Sequence, residues 1–60
     1  MKQYIDLGGR MRLAYWEEEN KWHVKSDVTE DEYVSEEEFT PEIFFDNNKY
    51  RNWVDNAIKL

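Results

Sequence analysis

The chain's only two glycines stand side by side, Gly8 and Gly9, between two segments, KQYIDL and RMRLAYW, that alternate apolar with polar residues. Alternation at period two marks a half-buried strand, and a glycine pair between two such runs marks a hairpin. Loop parity then decides which side chains share a face. A two-residue loop pairs Leu7 with Arg10 and sets Ile5 opposite Arg12, mixing apolar and charged residues on one face. An odd loop, or a bulge using a glycine at positive φ, sets Gln3 and Ile5 beside Met11, Leu13 and Tyr15. The sequence therefore predicts the odd loop, with Tyr4, Asp6, Arg12 and Trp16 on the opposite, wetter face.

The rest of the N-terminal half continues the pattern. EEEN reads as a second turn into KWHVK, where Trp22 and Val24 extend the apolar face while Lys21, His23 and Lys25 point away, completing a three-stranded meander. At the C-terminus, Tyr50, Trp53, Val54, Ala57 and Ile58 recur at helical spacing, which predicts an amphipathic helix lying across the meander. Asn47 or Asn48 is its expected N-cap, and Lys59 its last-turn cation. Between these halves Thr29 with Glu32 and Ser35 with Glu38 fit capping boxes, but their apolar stripe is poor for a helix. Residues 30–38 read instead as a fourth strand or extended arm, with a single helical turn at 41–45 after Thr40-Pro41. The fold class is α+β: a three- to four-stranded antiparallel sheet packed by a C-terminal helix, one domain over residues 1–60.

Such a chain has little with which to stabilise itself. Sixty residues bury only about 60% of the surface exposed by the unfolded form, and with no cysteine there is no disulfide or thiolate staple. Three Trp, four Tyr and three Phe offset this, since each aromatic buries roughly 150–250 Å². No apolar run approaches the ~18 residues needed to cross a bilayer, and MKQYIDLGG has no signal-peptide core. The absence of cysteine suits a reducing compartment, so the expected location is the cytoplasm, in a bacterial host cell if the resemblance below applies.

Charge is distributed unevenly. The net charge is −6, yet residues 26–48 contain no Lys or Arg, while Asp27, Glu30, Asp31, Glu32, Glu36, Glu37, Glu38, Glu42 and Asp46 all lie there. A field of that sign repels nucleic acid and acidic membranes and attracts basic protein surfaces, with an on-rate gain that salt screens. Arg10, Arg12, Lys21, Lys25, Trp16 and Trp22 suggest a basic-aromatic sheet face of the kind that stacks bases, but the overall field opposes it. Direct nucleic-acid binding is not expected.

Catalytic and metal chemistry find no foothold in the pattern. His23, the only histidine, falls among lysines and reads as a solvated surface group. Ser26 and Ser35 have no evident base, the glutamates are crowded rather than isolated, and DNNKYRNWVDN lacks the glycine and terminal glutamate of a calcium loop. No catalytic residue, metal site or cofactor is expected.

Two features separate the acidic run from an ordinary solvated face. Natural surfaces mix both signs, and a segment carrying only negative charge costs a small domain stability. The run also contains Tyr33, Val34, Phe39, Ile43, Phe44 and Phe45, too many apolar groups for a disordered tail. Alternate side chains on a strand recur about every 6.6 Å, comparable in contour to duplex DNA's phosphate per ~3.4 Å per strand.

In the triplets Glu17-Glu18-Glu19, Glu30-Asp31-Glu32 and Glu36-Glu37-Glu38, with their interleaved aromatics, the chain resembles the small acidic inhibitors made by phages and mobile elements that imitate DNA. Anti-CRISPR proteins, anti-restriction proteins and uracil-DNA glycosylase inhibitors include such cases. The resemblance is to a functional class, spans about half the chain and has no diagnostic motif. It implies a non-enzymatic inhibitor that seats these carboxylates in the basic groove of a nucleic-acid-processing protein, for example a CRISPR effector, with Tyr33 and Phe39 as anchors. The competing expectation is an acidic adaptor or antitoxin-like module that binds a protein through exposed aromatics. Monomer and homodimer are both open.

Overall fold

Loop parity comes out as the alternation demands. A computed structural model of the chain, describing residues 1–9 and 11–60, pairs β1 (Gln3–Asp6) antiparallel with β2 (Arg12–Glu18), setting Gln3 opposite Tyr15 and Ile5 opposite Leu13. Leu7 N–H donates to the Met11 carbonyl and Met11 N–H to that of Gly8, so an odd loop separates Leu7 from Met11. Gly8 and Gly9 turn it with φ of 91° and 62°, a region closed to most side chains. Arg10 lies outside the described residues.

From β2 the chain turns through Glu19-Asn20 into β3 (Lys21–Ser26), then into β4 (Glu32–Ser35). Two short helices follow, α1 (Pro41–Phe45) and α2 (Asn47–Asn56), and a two-residue strand β5 (Ile58–Lys59) closes the chain against β4. Among the described residues the antiparallel sheet has five strands in the order β1-β2-β3-β4-β5, one more than the meander and arm predict.

The two faces of the sheet have different fates. Ile5, Leu13, Tyr15 and Val24 point to the helical side and form the core with Phe39 and Trp53, while Trp22, Tyr33, Ile43, Phe44, Tyr50, Val54 and Ala57 pack around it. Phe39 is central, its ring 5.5 Å from Tyr15, 5.1 Å from Trp53 and 6.2 Å from Tyr50. Among the described residues no helix covers the opposite face, which carries Tyr4, Arg12, Trp16, His23 and Lys25. Val34, opposite His23, and Ala14, opposite Tyr4, are buried there outside the main cluster.

Several local expectations are corrected. The N-cap of α2 is Asp46 rather than Asn47 or Asn48: its carboxylate accepts from the N–H groups of Asn48 and Lys49, satisfying two donors the helix cannot satisfy itself. The helical stripe holds for Tyr50, Trp53 and Val54, but the helix stops at Asn56, so Ile58 and Lys59 leave it for the sheet edge. In line with the strand reading of residues 30–38, neither capping box forms. Thr29 Oγ1 accepts from Asp31 N–H and Ser35 Oγ from Glu37 N–H, tight turns by which short polar side chains compete with helix. Among the described residues no helix is long and apolar enough to cross a membrane.

Candidate acidic interface

Register brings together carboxylates that lie far apart in sequence. Glu17 stands opposite Trp22, and Trp22 opposite Ser35, so the tip Glu17-Glu18-Glu19 and the segment Glu36-Glu37-Glu38 occupy one end of the sheet. They are two strand positions apart, about 10 Å. All six side chains are exposed, and none forms an ion pair among the described residues. Lys21 flanks the tip opposite Glu18. A cleft of about 300 Å³ opens at the same end, lined by Lys21, Val34, Ser35, Glu36, Asn56 and Ile58.

Both acidic segments are held by the fold. Glu19 and Asn20 adopt φ of 54° and 64°, the two-residue hairpin turn whose twist matches the strands and which favours Asn or Gly. Segment 36–38 is tied at both ends and in its middle: Ser35 Oγ accepts Glu37 N–H, the Trp53 indole donates to the Glu37 carbonyl at 3.0 Å, and Phe39 plunges into the core. The indole is 1% exposed, so the backbone of Glu37 is fastened to the most buried part of the molecule.

The third triplet lies elsewhere. Glu30, Asp31 and Glu32 sit at the opposite end of β4, about 10 Å of strand away. Two of them have partners: Asp31 faces the Lys59 ammonium at 3.7 Å, and Glu32 lies 3.1 Å from His23 Nδ1. Glu30 holds a left-handed turn, φ 61°. Of the expected anchors, Phe39 is 0% exposed and is a core residue unavailable to a partner. Tyr33 is half-buried on the helical side, in a cleft with Tyr50, Arg51, Val54 and Asp55.

The expected solvated histidine is also corrected. His23 is partly buried, stacked on Trp16 at 5.1 Å with ring planes 7° apart and hydrogen-bonded with Glu32. Trp16 and Trp22 fall on opposite faces of the sheet, so the basic-aromatic set of the sequence is not one surface. Two of its open-face members are engaged internally: Arg12 lies 4.9 Å over Tyr4 and pairs with Asp27 at 3.2 Å, and Trp16 is capped by the Lys2 ammonium at 4.7 Å. Sequence reasoning missed Lys2 and the Trp53–Glu37 tether; the pairing of an indole with a distant carbonyl has no signal in spacing. Among the described residues no three His, Asp or Glu groups come together as a metal ion requires. Comparison with protein-family models, curated proteins and solved structures finds no match to this chain.

Proposed function

We propose that the protein is a non-enzymatic inhibitor whose acidic end enters the basic groove of a nucleic-acid-processing protein, such as a CRISPR effector, in place of phosphates. The observation that carries this reading is the convergence of Glu17, Glu18, Glu19, Glu36, Glu37 and Glu38 on one end of the sheet, none of them in an ion pair among the described residues. Fixed rows of unpaired carboxylates are complementary to the Lys and Arg that line such grooves.

Backbone conformation adds support. Glu19 occupies a left-handed position that glycine or asparagine would fill at less cost, so the chain keeps charge at the tip against its own stability. The acids at 30–32 play a lesser part, since Asp31 and Glu32 serve Lys59 and His23. An adaptor reading based on aromatic anchors loses Phe39, which is enclosed, and much of Tyr33, and would rest on the exposed Phe45 and Tyr4 instead.

The test is capture of partners from a bacterial lysate on immobilised protein, at low and high salt, with duplex DNA as competitor. The expected result is a set of nucleic-acid-binding proteins retained at low salt and released by either DNA or salt. Partners that ignore both would refute the reading.

A further inference from the structure

The outer edge of β1 is open, and its residues complement themselves. Among the described residues β1 pairs with β2 alone, whereas the other edge of the sheet is blunted by the two-residue β5. Natural edges are protected by proline, bulges, charge or shortness; Gln3–Asp6 has neither proline nor bulge, and its one charged residue, Asp6, lies on the open face. In an antiparallel ladder successive residues direct their backbone groups to alternate sides. Leu7 N–H bonds the Met11 carbonyl across the hairpin, so Gln3, Ile5 and Leu7 address β2. Lys2, Tyr4 and Asp6 therefore direct N–H and C=O away from the sheet.

We propose that two copies of the chain pair through this edge, antiparallel, about a two-fold axis at Tyr4. Outward-directed residues must oppose outward-directed residues, so the two-fold axis passes through a residue, and the positions that overlap most of the strand are Gln3, Tyr4 and Ile5. An axis at Gln3 sets Lys2 against Tyr4, and one at Ile5 sets Tyr4 against Asp6 and Lys2 against Gly8. The axis at Tyr4 alone sets Lys2 of each copy against Asp6 of the other. It also stacks the two Tyr4 rings, each 52% exposed in one copy, at the centre of the open face. On the helical side the same register brings Met1, 105% exposed, opposite Leu7, 37% exposed. Three independent matches, ionic, aromatic and apolar, thus fall in one register.

The open face extends the ionic match. Asp27 pairs with Arg12, Arg12 stands opposite Asp6, and Asp6 meets Lys2 of the second copy, so charge alternates along one row across the junction. The result is a continuous ten-stranded sheet with the helices of both copies on one side. A two-fold axis normal to the sheet reverses the strands, so the two acidic ends point away from each other. Pairing therefore neither uses nor hides the acidic interface.

The contact is small, which places its dissociation constant on the order of 10–500 µM. Sedimentation velocity of the whole chain from about 10 µM to about 1 mM tests it, with mass rising from 7.4 kDa towards twice that value. Lys2→Glu and Asp6→Lys, each setting like charges together twice, are expected to weaken association about tenfold or more. Mixed in equal amounts, the two variants should form a heterodimer as tight as the wild-type dimer.

Because Asp6 also accepts the Gly8 N–H at 2.8 Å, a second variant guards against loss of the hairpin. Tyr4→Pro removes an N–H that bonds nothing within one copy; it should abolish pairing while circular dichroism keeps the sheet signature. A wild-type chain that stays monomeric at about 1 mM, a dimer that survives Tyr4→Pro, or charge variants that fail to rescue each other would overturn the proposal.

Discussion

The Trp53 indole meets the Phe39 ring edge-on, centroids 5.1 Å apart and planes at 70°, while its N–H reaches back to the carbonyl of Glu37. One side chain thus joins the core to the acidic segment. Phe39→Ala removes the hub of this cluster and is expected to cost about 3–5 kcal/mol, comparable to the whole stability of so short a domain. Chemical denaturation should find it largely unfolded. Trp53→Phe keeps a ring but loses the tether; it should cost about 1–3 kcal/mol and raise amide exchange at residues 36–38.

Asp46 caps α2 through two backbone N–H groups. Asp46→Ala is expected to cost about 0.5–2 kcal/mol, a fall in Tm of about 4–8 °C for each kcal/mol. Asp46→Asn should recover most of it. A scan showing no shift for the alanine variant would mean the cap is not formed in solution.

Burial among Phe39 and Phe44 pushes the Tyr50 phenol above its ordinary pKa of 10.0, with a smaller push from Tyr33. The unfolded chain releases this proton more readily, so the contribution to stability is intact below pH 10 and lost as pH rises through the folded-state value. Wild-type stability should therefore fall more steeply than that of Tyr50→Phe as pH rises above 10.0, measured by urea unfolding. Parallel slopes would place the sensitivity elsewhere.

Glu19 and Glu30 both hold left-handed backbone, at opposite ends of the sheet. Replacing either with glycine relieves strain and should stabilise the fold by about 0.5–1 kcal/mol. The two differ in function: Glu19→Gly is expected to weaken binding to a captured partner, and Glu30→Gly to leave it nearly unchanged. Equal effects would contradict the assignment of the interface to the end that holds residues 17–19 and 36–38.

Much of the fold was legible because one physical rule governs it. Period-two alternation and the constraint that Ile5 share a face with Leu13 determine the hairpin register, and with it the faces of Trp22, Val24 and His23. The acidic middle resisted the same treatment because its structure is decided by distant partners. Val34 breaks alternation yet is buried on the otherwise open face, and Phe39 looks like a surface anchor until Tyr15, Tyr50 and Trp53 surround it. Ile58 continued the helical stripe, but Ala57 leaves helical geometry and Ile58 pairs with Val34 instead. For the interface, the residue types were visible and their grouping was not: two triplets converge, while in the third Asp31 pairs with Lys59 and Glu32 hydrogen-bonds with His23, a distinction that only strand register makes.

The most direct test reverses the charge of one converging row. In the variant with Glu36→Lys, Glu37→Lys and Glu38→Lys, circular dichroism should report an unchanged fold, since these side chains are exposed and form no ion pairs among the described residues. Affinity for a nucleic-acid-binding partner recovered at low salt, measured by calorimetry, should fall by at least about a hundredfold, and inhibition of that partner should disappear. A folded variant that binds and inhibits as the wild type does would show that these carboxylates do not engage a cationic groove.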